Sequence, residues 1–438
     1  MTRPAITRRT FLEWTAISAA LGLSGCAVNP VSGEKQLMLL SEQGEVDIDE
    51  KHSPHQFSAD YGVSSDGELN AYLDEVGREM AAYSHRPERP YSFRAVNATY
   101  VNAYAFPGGT IAATRGILVR LQDESELAAL LGHEIAHVNW RHTASRMSTG
   151  TLVSLAISGA AFYAAHREPR AGALAQVLGG IATGALLARY SRSDEREADA
   201  TGMEYMVRSG YDPRGMIGLL DMMNNLHDEK PSALDLMFAT HPMSSERLAV
   251  ARERAFTGYS GALGGKRRRE RYMDSIAGLR KMEPALIEMD NGHAALAKGK
   301  KRAAKEHLEA ALKIAPEDYC GLVMAAECSL SRRDLAGGLD YVEAAREIDP
   351  SEPRSYAVAG MLYMERKDYG SAYDELKTYE SRLPGNPNMV FGMGYAAENM
   401  REYRKAARHY LDYLDMDRQS DRARYAYERL VEWGVIKA

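Results

Sequence analysis

The chain contains little cysteine and has no strong excess of charge. Three cysteines occur among 438 residues, and Cys320 and Cys328 lie eight positions apart on one predicted helix. Eight residues of helix rise by about 12 Å, which is too far for a disulfide, so we expect none. The formal net charge is −6, and this balance favours neither a nucleic-acid-binding nor a disordered protein. The length is typical of a globular protein with about two or three domains.

The first 26 residues resemble an export leader. Residues 7–12 contain paired arginines like those of a twin-arginine signal, and the apolar run 14–23 is too short to span a bilayer. The leader ends in LSGC, which resembles a lipobox whose cleavage leaves Cys26 as the lipid-modified first residue. With Ala27 next to it, a lipid anchor in the outer membrane, on the periplasmic side, is expected. A short anchor with a chance cysteine is the alternative.

Residues 148–188 contain two apolar stretches rich in glycine and alanine, separated by a polar break. Each stretch barely reaches the ~20 residues that a membrane-spanning helix needs. Three interpretations stay open for this region: a membrane hairpin, a pair of interfacial or substrate-facing helices, and plain buried helices.

The remaining chain divides into a tether, a mixed domain, a linker and a repeat region. The predicted ranges are 27–60 for the tether, 61–257 for the mixed domain, 258–284 for a linker and helix, and 285–438 for the repeats. Within the mixed domain, short strands at 91–96, 103–106 and 110–114 precede a helix that Asp123 and Glu126 begin. The basic run 266–271 is interpreted as a solvated helix face. The expected fold class is α+β and mostly helical.

The last third of the sequence repeats with a period of 34 residues, which is the tetratricopeptide period. The recurring positions are Pro316, Pro350 and Pro384; Gly292, Ala326, Gly360 and Gly394; Ala304, Gly338, Ala372 and Ala406; and Leu308, Val342, Leu376 and Tyr410. Four tetratricopeptide repeats and a C-terminal capping helix at 421–436 are predicted. They form an α-solenoid with a concave surface for peptide or protein.

An HExxH pattern lies within the helix that follows the predicted sheet. His133 and His137 occupy positions i and i+4, so they project from one face and can bind one metal ion, with zinc at about 2.0 to 2.1 Å. Glu134 is rotated away from both histidines but lies near enough to act as the general base that activates the attacking water. The pattern also occurs by chance, so its context has to support it.

The best candidate for a third ligand lies on the next predicted helix, at 193–210. Catalytic zinc normally has three protein ligands and one open position. Glu195 and Asp199 share one face of this helix, whereas Glu197 points to nearly the opposite side. Glu195 is therefore predicted to bind zinc, and Asp199 to accept the outer N–H of a ligand histidine. The alternative is a solvated, charged helix start.

Four segments together resemble the gluzincin family that contains HtpX and the CAAX prenyl proteases. They are HEIAHVNWRH at 133–142, YSRSDEREAD at 190–199, NAYAFPGGTIAATRGIL at 102–118 and THPMSSERL at 240–248. The resemblance implies a zincin metalloprotease domain with one zinc ion per chain. It also implies zinc ligands at His133, His137 and Glu195, catalysis by Glu134 and a supporting role for Asp199.

Together with the leader and the repeats, these motifs are similar to the branch of that family that acts in the periplasm on outer-membrane protein assembly. The implied function is an endopeptidase that degrades misfolded or stalled outer-membrane or periplasmic proteins. Its repeats would bind the clients or the assembly machinery. The twin-arginine lipobox leader departs from the pattern of that branch.

The loop at 240–248 contains two further candidates. In the family pattern, the histidine that corresponds to His241 can reach the zinc and fill its open position, which would make the enzyme self-inhibited. A transition-state donor and a structural loop histidine are the alternatives. Arg247 is predicted to anchor this loop.

The strand formed by Asn102, Ala103, Tyr104, Ala105 and Phe106 is a candidate edge for pairing with an extended substrate. Main-chain pairing tolerates many sequences, as a protease of misfolded proteins requires. The competing functional class is a lipoprotein chaperone or assembly factor with a latched or vestigial zinc site. The presence of Glu134 argues against that class, because a structural site needs no general base.

Overall fold

The computed structural model describes residues 26–148, 190–229, 237, 240–242 and 245–437. Apart from Ser148, the apolar stretches at 148–188 lie outside these residues, as does the leader before Cys26. Among the helices that the structure describes, none is long and apolar enough to cross a membrane. Cys320 and Cys328 are both buried and free, as expected.

A three-stranded sheet precedes the helix that carries the HExxH pattern. Its strands are β3 (Ser92–Val96), β4 (Ala103–Ala105) and β5 (Thr110–Thr114). The order is β3–β5–β4, with β3 parallel and β4 antiparallel to β5. The strand β4 is therefore an edge strand, and within the described residues no other strand pairs with it.

The helix α4 (Glu124–Asn139) is the centre of the first domain and is buried along its whole length. Asp123 caps its N-terminus by accepting a hydrogen bond from the backbone N–H of Glu126. The Glu126 side chain accepts from the backbone N–H of Gln122 at 2.7 Å, one residue before the position that a capping box predicts. Flanking helices are α2 (Gly67–Ala81) and α3 (Arg115–Leu118).

The helix α5 (Arg192–Arg208) crosses α4 at two glycines. A Cβ atom placed on Gly202 would lie 2.9 Å from the backbone carbon of Gly132, which is closer than real Cβ contacts come. Both positions therefore need glycine for the two backbones to approach this closely. Since Gly132 directly precedes His133, the crossing brings the first turns of α5 against the HExxH pattern. The next helices are α6 (Arg214–Glu229) and α7 (Ser245–Glu253).

The range 27–60, which the sequence suggested to be a tether, is folded. A hairpin of β1 (Cys26–Val28) and β2 (Lys35–Leu37) leads into α1 (Glu42–Ala59). The reason is a fully buried carboxylate: Glu45 pairs with Arg86 at 2.9 Å, with Arg89 at 2.7 Å and with Arg141 at 2.6 Å. This cluster fixes α1 next to the C-terminal end of α4.

The basic run 266–271 is not a simple solvated face. Lys266 pairs with Glu79 at 2.6 Å, and Arg268 pairs with the buried Glu124 at 2.9 Å. The acidic residues come from α2 and from the first turn of α4, so their position was not evident from the run itself. The segment then continues through α8 (Arg269–Ser275) and α9 (Ala277–Lys281).

Four consecutive helix pairs and one further helix form the rest of the described chain. They are α10 (Glu283–Ala297), α11 (Lys301–Ile314), α12 (Tyr319–Arg332), α13 (Leu335–Ile348), α14 (Arg354–Arg366), α15 (Tyr369–Arg382), α16 (Pro387–Asn399), α17 (Tyr403–Met416) and α18 (Asp421–Glu432). The expected fold class, a mixed domain followed by a helical repeat region, is confirmed.

The 34-residue period is visible in both packing and backbone. Gly360 lies so close to the Leu376 side chain that a Cβ would come within 2.6 Å of it, and Gly394 has the same relation to Tyr410. The turn between the two helices of each pair contains one residue with positive φ. These residues are Gly299, Arg333, Lys367 and Arg401, with φ between 60° and 69°.

The first domain and the repeats share an interface with buried charges. Arg115 forms a salt bridge with Asp318, the N-cap residue of α12. Arg354 pairs with Glu327 at 2.8 Å and donates to the backbone carbonyl of Ala59 at 2.8 Å. One hydrophobic core runs from the first domain into the first helix pairs, and a second core fills the last ones.

Candidate metal centre

Four side chains converge between α4, α5 and the segment 240–242. One donor atom from each of His133, His137, Glu195 and His241 lies within 4.8 Å of the other three, and all four residues are buried. The two Nε2 atoms of His133 and His137 are 3.0 Å apart. Glu195 places Oε1 3.5 Å from His137 Nε2 and Oε2 3.6 Å from His133 Nε2. The arrangement suits a single small cation.

Asp199 lies behind His133, on the side away from the converging donors. Its Oδ1 is 3.0 Å from His133 Nδ1, so the carboxylate accepts the outer N–H and leaves Nε2 free as a donor atom. Burial lowers the pKa of His133, but the hydrogen bond to Asp199 and the negative charges of Glu195 and Asp199 together outweigh this, and the pKa is raised above its usual value. His137 has no carboxylate at this distance, and burial holds its pKa well below the usual range.

Arg247 neutralises the two carboxylates of α5. Its Nε and Nη2 are both 2.7 Å from Asp199, and its Nη1 is 2.6 Å from Glu195 Oε2. Burial raises the pKa of Glu195, but the adjacent His241 and Arg247 outweigh this and hold the pKa well below its usual range. Arg247 also lies 3.4 Å from the carbonyl of Pro242, where an anchor of the loop was predicted.

Glu134 is buried beside the converging donors without joining them. Its Oε1 is 3.9 Å from His241 Nε2, and its Oε2 has no hydrogen-bond partner among the described residues. Burial raises the pKa of this carboxyl. A buried carboxylate oxygen without a partner is costly, so it marks a position that receives a proton or a polar group from outside the chain. The two histidines, the carboxylate ligand and this oxygen fit a catalytic metal.

Comparison with known families agrees with this geometry. Residues 67–255 match the model described as peptidase family M48. The chain contains a peptidase family M48 domain.

Two relatives of this domain are longer than the chain, and the chain matches less than half of each. The beta-barrel assembly-enhancing proteases of Vibrio cholerae and Escherichia coli are 35% and 31% identical to the chain, over 44% and 43% of its length. The chain spans 40% and 39% of those two proteins. Metalloprotease LoiP of Escherichia coli is 25% identical over 55% of this chain and 94% of its own. Yeast Tom70 reaches a TM-score of 0.33 at 11% identity over 73% of this chain and 75% of its own, too low to support an argument.

His241 joins the other three donors from the segment 240–242. Its Nδ1 is 3.0 Å from Glu195 Oε1 and 3.4 Å from His133 Nε2. Two backbone hydrogen bonds hold the segment: His241 N–H donates to Met237, and Tyr190 N–H donates to the carbonyl of Thr240 at 2.8 Å. The imidazole therefore lies within the same cluster as the other three donors.

The structure adds residues that sequence reasoning missed. His142 Nδ1 lies 2.8 Å from His137 Nδ1, and His142 Nε2 lies 3.1 Å from Glu197. The Tyr190 ring stacks on His137 with centroids 3.7 Å apart. His142 and Tyr190 belong to the two motifs at 133–142 and 190–199, so a signal for them was present. Glu197 does point away from the donors, as predicted, but that direction leads to His142.

The predicted substrate strand lies next to this site. Ala105 and Phe106 line the same small cleft as His137 and Thr143. Phe106 N–H donates to Thr110 at 2.8 Å, and Asn102 accepts from Thr114 at 3.0 Å. Hydrogen bonding alternates along an antiparallel pair, so the N–H and C=O groups of Ala103 and Ala105 point away from β5. Ala103 is fully buried, whereas Ala105 is partly exposed. The lipidation candidate Cys26 lies at the start of β1.

Proposed function

We propose that this chain is a zinc-dependent endopeptidase of the bacterial envelope that degrades misfolded or stalled outer-membrane or periplasmic proteins. The observation that carries the proposal is the buried carboxylate of Glu134, with an unpartnered oxygen, beside a converging set of histidine and glutamate donors. A structural zinc site needs no such group. The names of the relatives from Vibrio cholerae and Escherichia coli support the substrate class.

His133, His137 and Glu195 would hold the ion, and this donor set is typical of catalytic zinc. When bound, zinc supplies Lewis acidity to a substrate carbonyl and lowers the pKa of water. Asp199 fixes the tautomer of His133, and Arg247 keeps both α5 carboxylates ionised. Glu134, with its pKa raised by burial, is suited to accept a proton from the attacking water and pass it to the leaving amine.

His241 would act as a latch on the resting enzyme. It is 3.0 Å from Glu195 and 3.9 Å from Glu134, so it occupies the region that an attacking water and a substrate carbonyl need. Within the described residues, backbone hydrogen bonds from His241 to Met237 and from Tyr190 to Thr240 hold this part of the chain, and a substrate strand could replace them. Release of His241 would then accompany substrate entry.

The open edge of β4 would bind the substrate. Ala105 lies in the same cleft as His137 and directs its main-chain groups away from β5, so an extended peptide that pairs with them would run past the metal ligands. This mode selects for unfolded segments rather than for a particular sequence. The helical repeats would bind clients or the outer-membrane assembly machinery, and a lipid on Cys26, after twin-arginine export, would hold the protein at the outer membrane.

A second function is favoured by the position of His241. With four protein donors around one point, these residues would leave a bound zinc ion no open position, as in structural zinc sites. The chain would then be a lipoprotein chaperone or assembly factor whose zinc site is latched or vestigial.

The decisive experiment compares casein degradation by the purified mature chain and by Glu134→Gln, with zinc measured on both. We expect one zinc per chain in each and cleavage only by the wild type, since the amide cannot accept the proton. Because zinc content reports the folded site, it is the control for the substitution. Equal and negligible cleavage at full zinc would favour the latched assembly factor, and equal, substantial cleavage would remove Glu134 from the mechanism.

A further inference from the structure

The second histidine ligand has a supporting partner of its own. His137 Nδ1 and His142 Nδ1 are 2.8 Å apart, and His142 Nε2 is 3.1 Å from Glu197 Oε2. We propose that His142, held by Glu197, is the positioning residue of His137. The inference rests on the proposed metal site but not on proteolysis.

Only one placement of the hydrogens on the two imidazole rings is compatible with these contacts. The Nε2 atom of His137 faces His133 and Glu195, so Nε2 is the atom that takes the metal and Nδ1 carries the hydrogen. His142 Nδ1 must then be the acceptor, because two N–H groups cannot face each other at 2.8 Å. The hydrogen of His142 lies on Nε2 and is donated to Glu197. Glu197 thus fixes the tautomer of His142, and His142 fixes the tautomer of His137.

Aromatic packing holds both rings in this orientation. Tyr190 stacks on His137 with 23° between the ring planes, and its hydroxyl is 3.0 Å from Thr143 Oγ1. Trp140 lies parallel to His142, with 11° between planes and centroids 5.9 Å apart. The Trp140 indole N–H donates to Thr201 on α5 at 2.9 Å. The rings cannot turn without breaking these contacts.

The two metal-binding histidines are therefore supported in different ways. His133 is backed by a buried, ionised carboxylate that Arg247 neutralises, whereas His137 is backed by a neutral imidazole. The Glu197 side chain is 37% exposed. The contacts that support His137 therefore extend through His142 to a carboxylate in contact with solvent. Loss of the supporting partner of a ligand typically lowers metal affinity or activity by about 10- to 100-fold.

A second metal ion is the competing interpretation of the same residues. His142, Asp194 and Glu197 offer donor atoms within 4.8 Å of one another. The short contact between His142 and His137 favours the positioning role over a second metal site, because His142 Nδ1 is already hydrogen-bonded to His137. Asp194 lies farther from His142 Nε2, at 3.9 Å, and it already closes the capping box of α5 with Ser191.

The test measures zinc affinity, by competition with a chromophoric chelator, and the visible spectrum of the cobalt-substituted mature chain. The variants are His142→Ala, His142→Asn and Glu197→Ala, with Glu204→Gln on the same helix as the matched control. Glu204 pairs only with the exposed Arg208 among the ion pairs of the described chain. The asparagine keeps an acceptor for His137 Nδ1–H, whereas alanine removes it.

We expect His142→Ala to weaken zinc binding by about 10- to 100-fold and to change the cobalt spectrum. His142→Asn should recover most of the affinity, Glu197→Ala should lose a smaller part, and Glu204→Gln should match the wild type. If His142→Ala does not fold, Glu197→Ala still decides, because its side chain is partly exposed and unchanged zinc affinity there would overturn the proposal.

Three further results would overturn it. One is unchanged affinity and spectrum in His142→Ala, and another is an asparagine variant as weak as the alanine variant. The third is binding of two zinc ions by the wild type with loss of only the weaker one in His142→Ala. A wild-type chain that binds no zinc would instead remove the proposed function as well, so the two failures can be told apart.

Discussion

Glu195 and Asp199 can both be buried as carboxylates on α5 because the Arg247 guanidinium pairs with both. Arg247 contacts Asp199 through two nitrogens and Glu195 through a third. Its removal would leave two uncompensated buried charges, whereas a bound cation would neutralise only Glu195. The ionisation of Glu195 and the tautomer of His133 therefore depend on a residue outside the converging donor set.

At the same scale, we predict that His241→Ala raises casein degradation several-fold. The substitution removes the imidazole that lies 3.0 Å from Glu195 and opens the fourth position of the site. Initial rates at equal zinc occupancy provide the measurement, and Glu134→Gln combined with His241→Ala is the background control. A rate equal to or below that of the wild type would contradict the latch and favour a transition-state role for His241.

The sequence predicted the residue pairs whose relative position is set within a single helix. The spacing of His133 and His137 on α4, and of Glu195 and Asp199 on α5, follows from the 3.6-residue turn. The contact between His142 and Glu197 depends instead on how α4 and α5 cross. That crossing is set by the close approach at Gly132 and Gly202, for which no spacing rule exists.

The start of α4 shows how one element accommodates a titrating side chain. Burial raises the pKa of Glu126 to about 7, against about 4.3 for an exposed glutamate. The folded state therefore binds a proton that the unfolded state has released between these values. By linkage, the contribution of Glu126 to stability falls as pH rises from about 4.5 to 7 and stays low above that.

Glu126→Gln should therefore stabilise the chain at pH 8 and change little at pH 5. The amide oxygen can still accept from the N–H of Gln122, while the buried charge is gone. The gain at pH 8 is on the order of 3 to 4 kcal/mol at most. Thermal unfolding in the presence of a chelator measures it without a contribution from metal loss. Equal shifts at both pH values would refute the assignment, and the exposed Glu204→Gln serves as the control.

The edge strand β4 makes a separate prediction about the substrate. Ala105→Pro removes an N–H that faces the open edge and takes no part in pairing with β5, so the sheet should persist. Loss of one main-chain hydrogen bond, about 1 kcal/mol, should raise KM for an unfolded peptide roughly five-fold with little change in kcat. Ala105→Ser keeps the N–H and is the control. If both variants match the wild type, substrate pairs elsewhere.

In the whole molecule, the M48 domain and the repeats are joined through buried charges as well as a common core. Arg354 contacts Glu327 within the repeats and the carbonyl of Ala59 in the first domain, with its guanidinium 4.1 Å from the ring centre of Tyr61. The sequence predicted both parts by their own periodicities. It gave no sign of their interface, because the contacting residues are almost 300 positions apart in the chain.

Arg354→Ala should weaken this junction more than an equivalent change inside the repeats. Glu327, whose side chain is 11% exposed, would lose its ion-pair partner and keep only the Tyr61 hydroxyl at 3.2 Å. The cost should be at most about 3 to 5 kcal/mol, and calorimetry should show the repeats unfolding separately at a lower temperature. Arg346→Ala, which breaks a pair with Glu375 within the repeats, is the matched control. A single transition for both variants, equally displaced, would mean that Arg354 does not couple the two parts.

The positive φ angles at the turns of the helix pairs have a consequence for the stability of the repeat array. Glycine occupies the first of these four equivalent turns, at Gly299, while Arg333, Lys367 and Arg401 occupy the others. A left-handed conformation costs a non-glycine residue roughly 1 kcal/mol, partly offset by a cation near a helix C-terminus. Three of the four turns thus have a long side chain at a position where the first turn has an unstrained glycine. The solenoid is therefore less stable than the same backbone with glycine at all four turns would be.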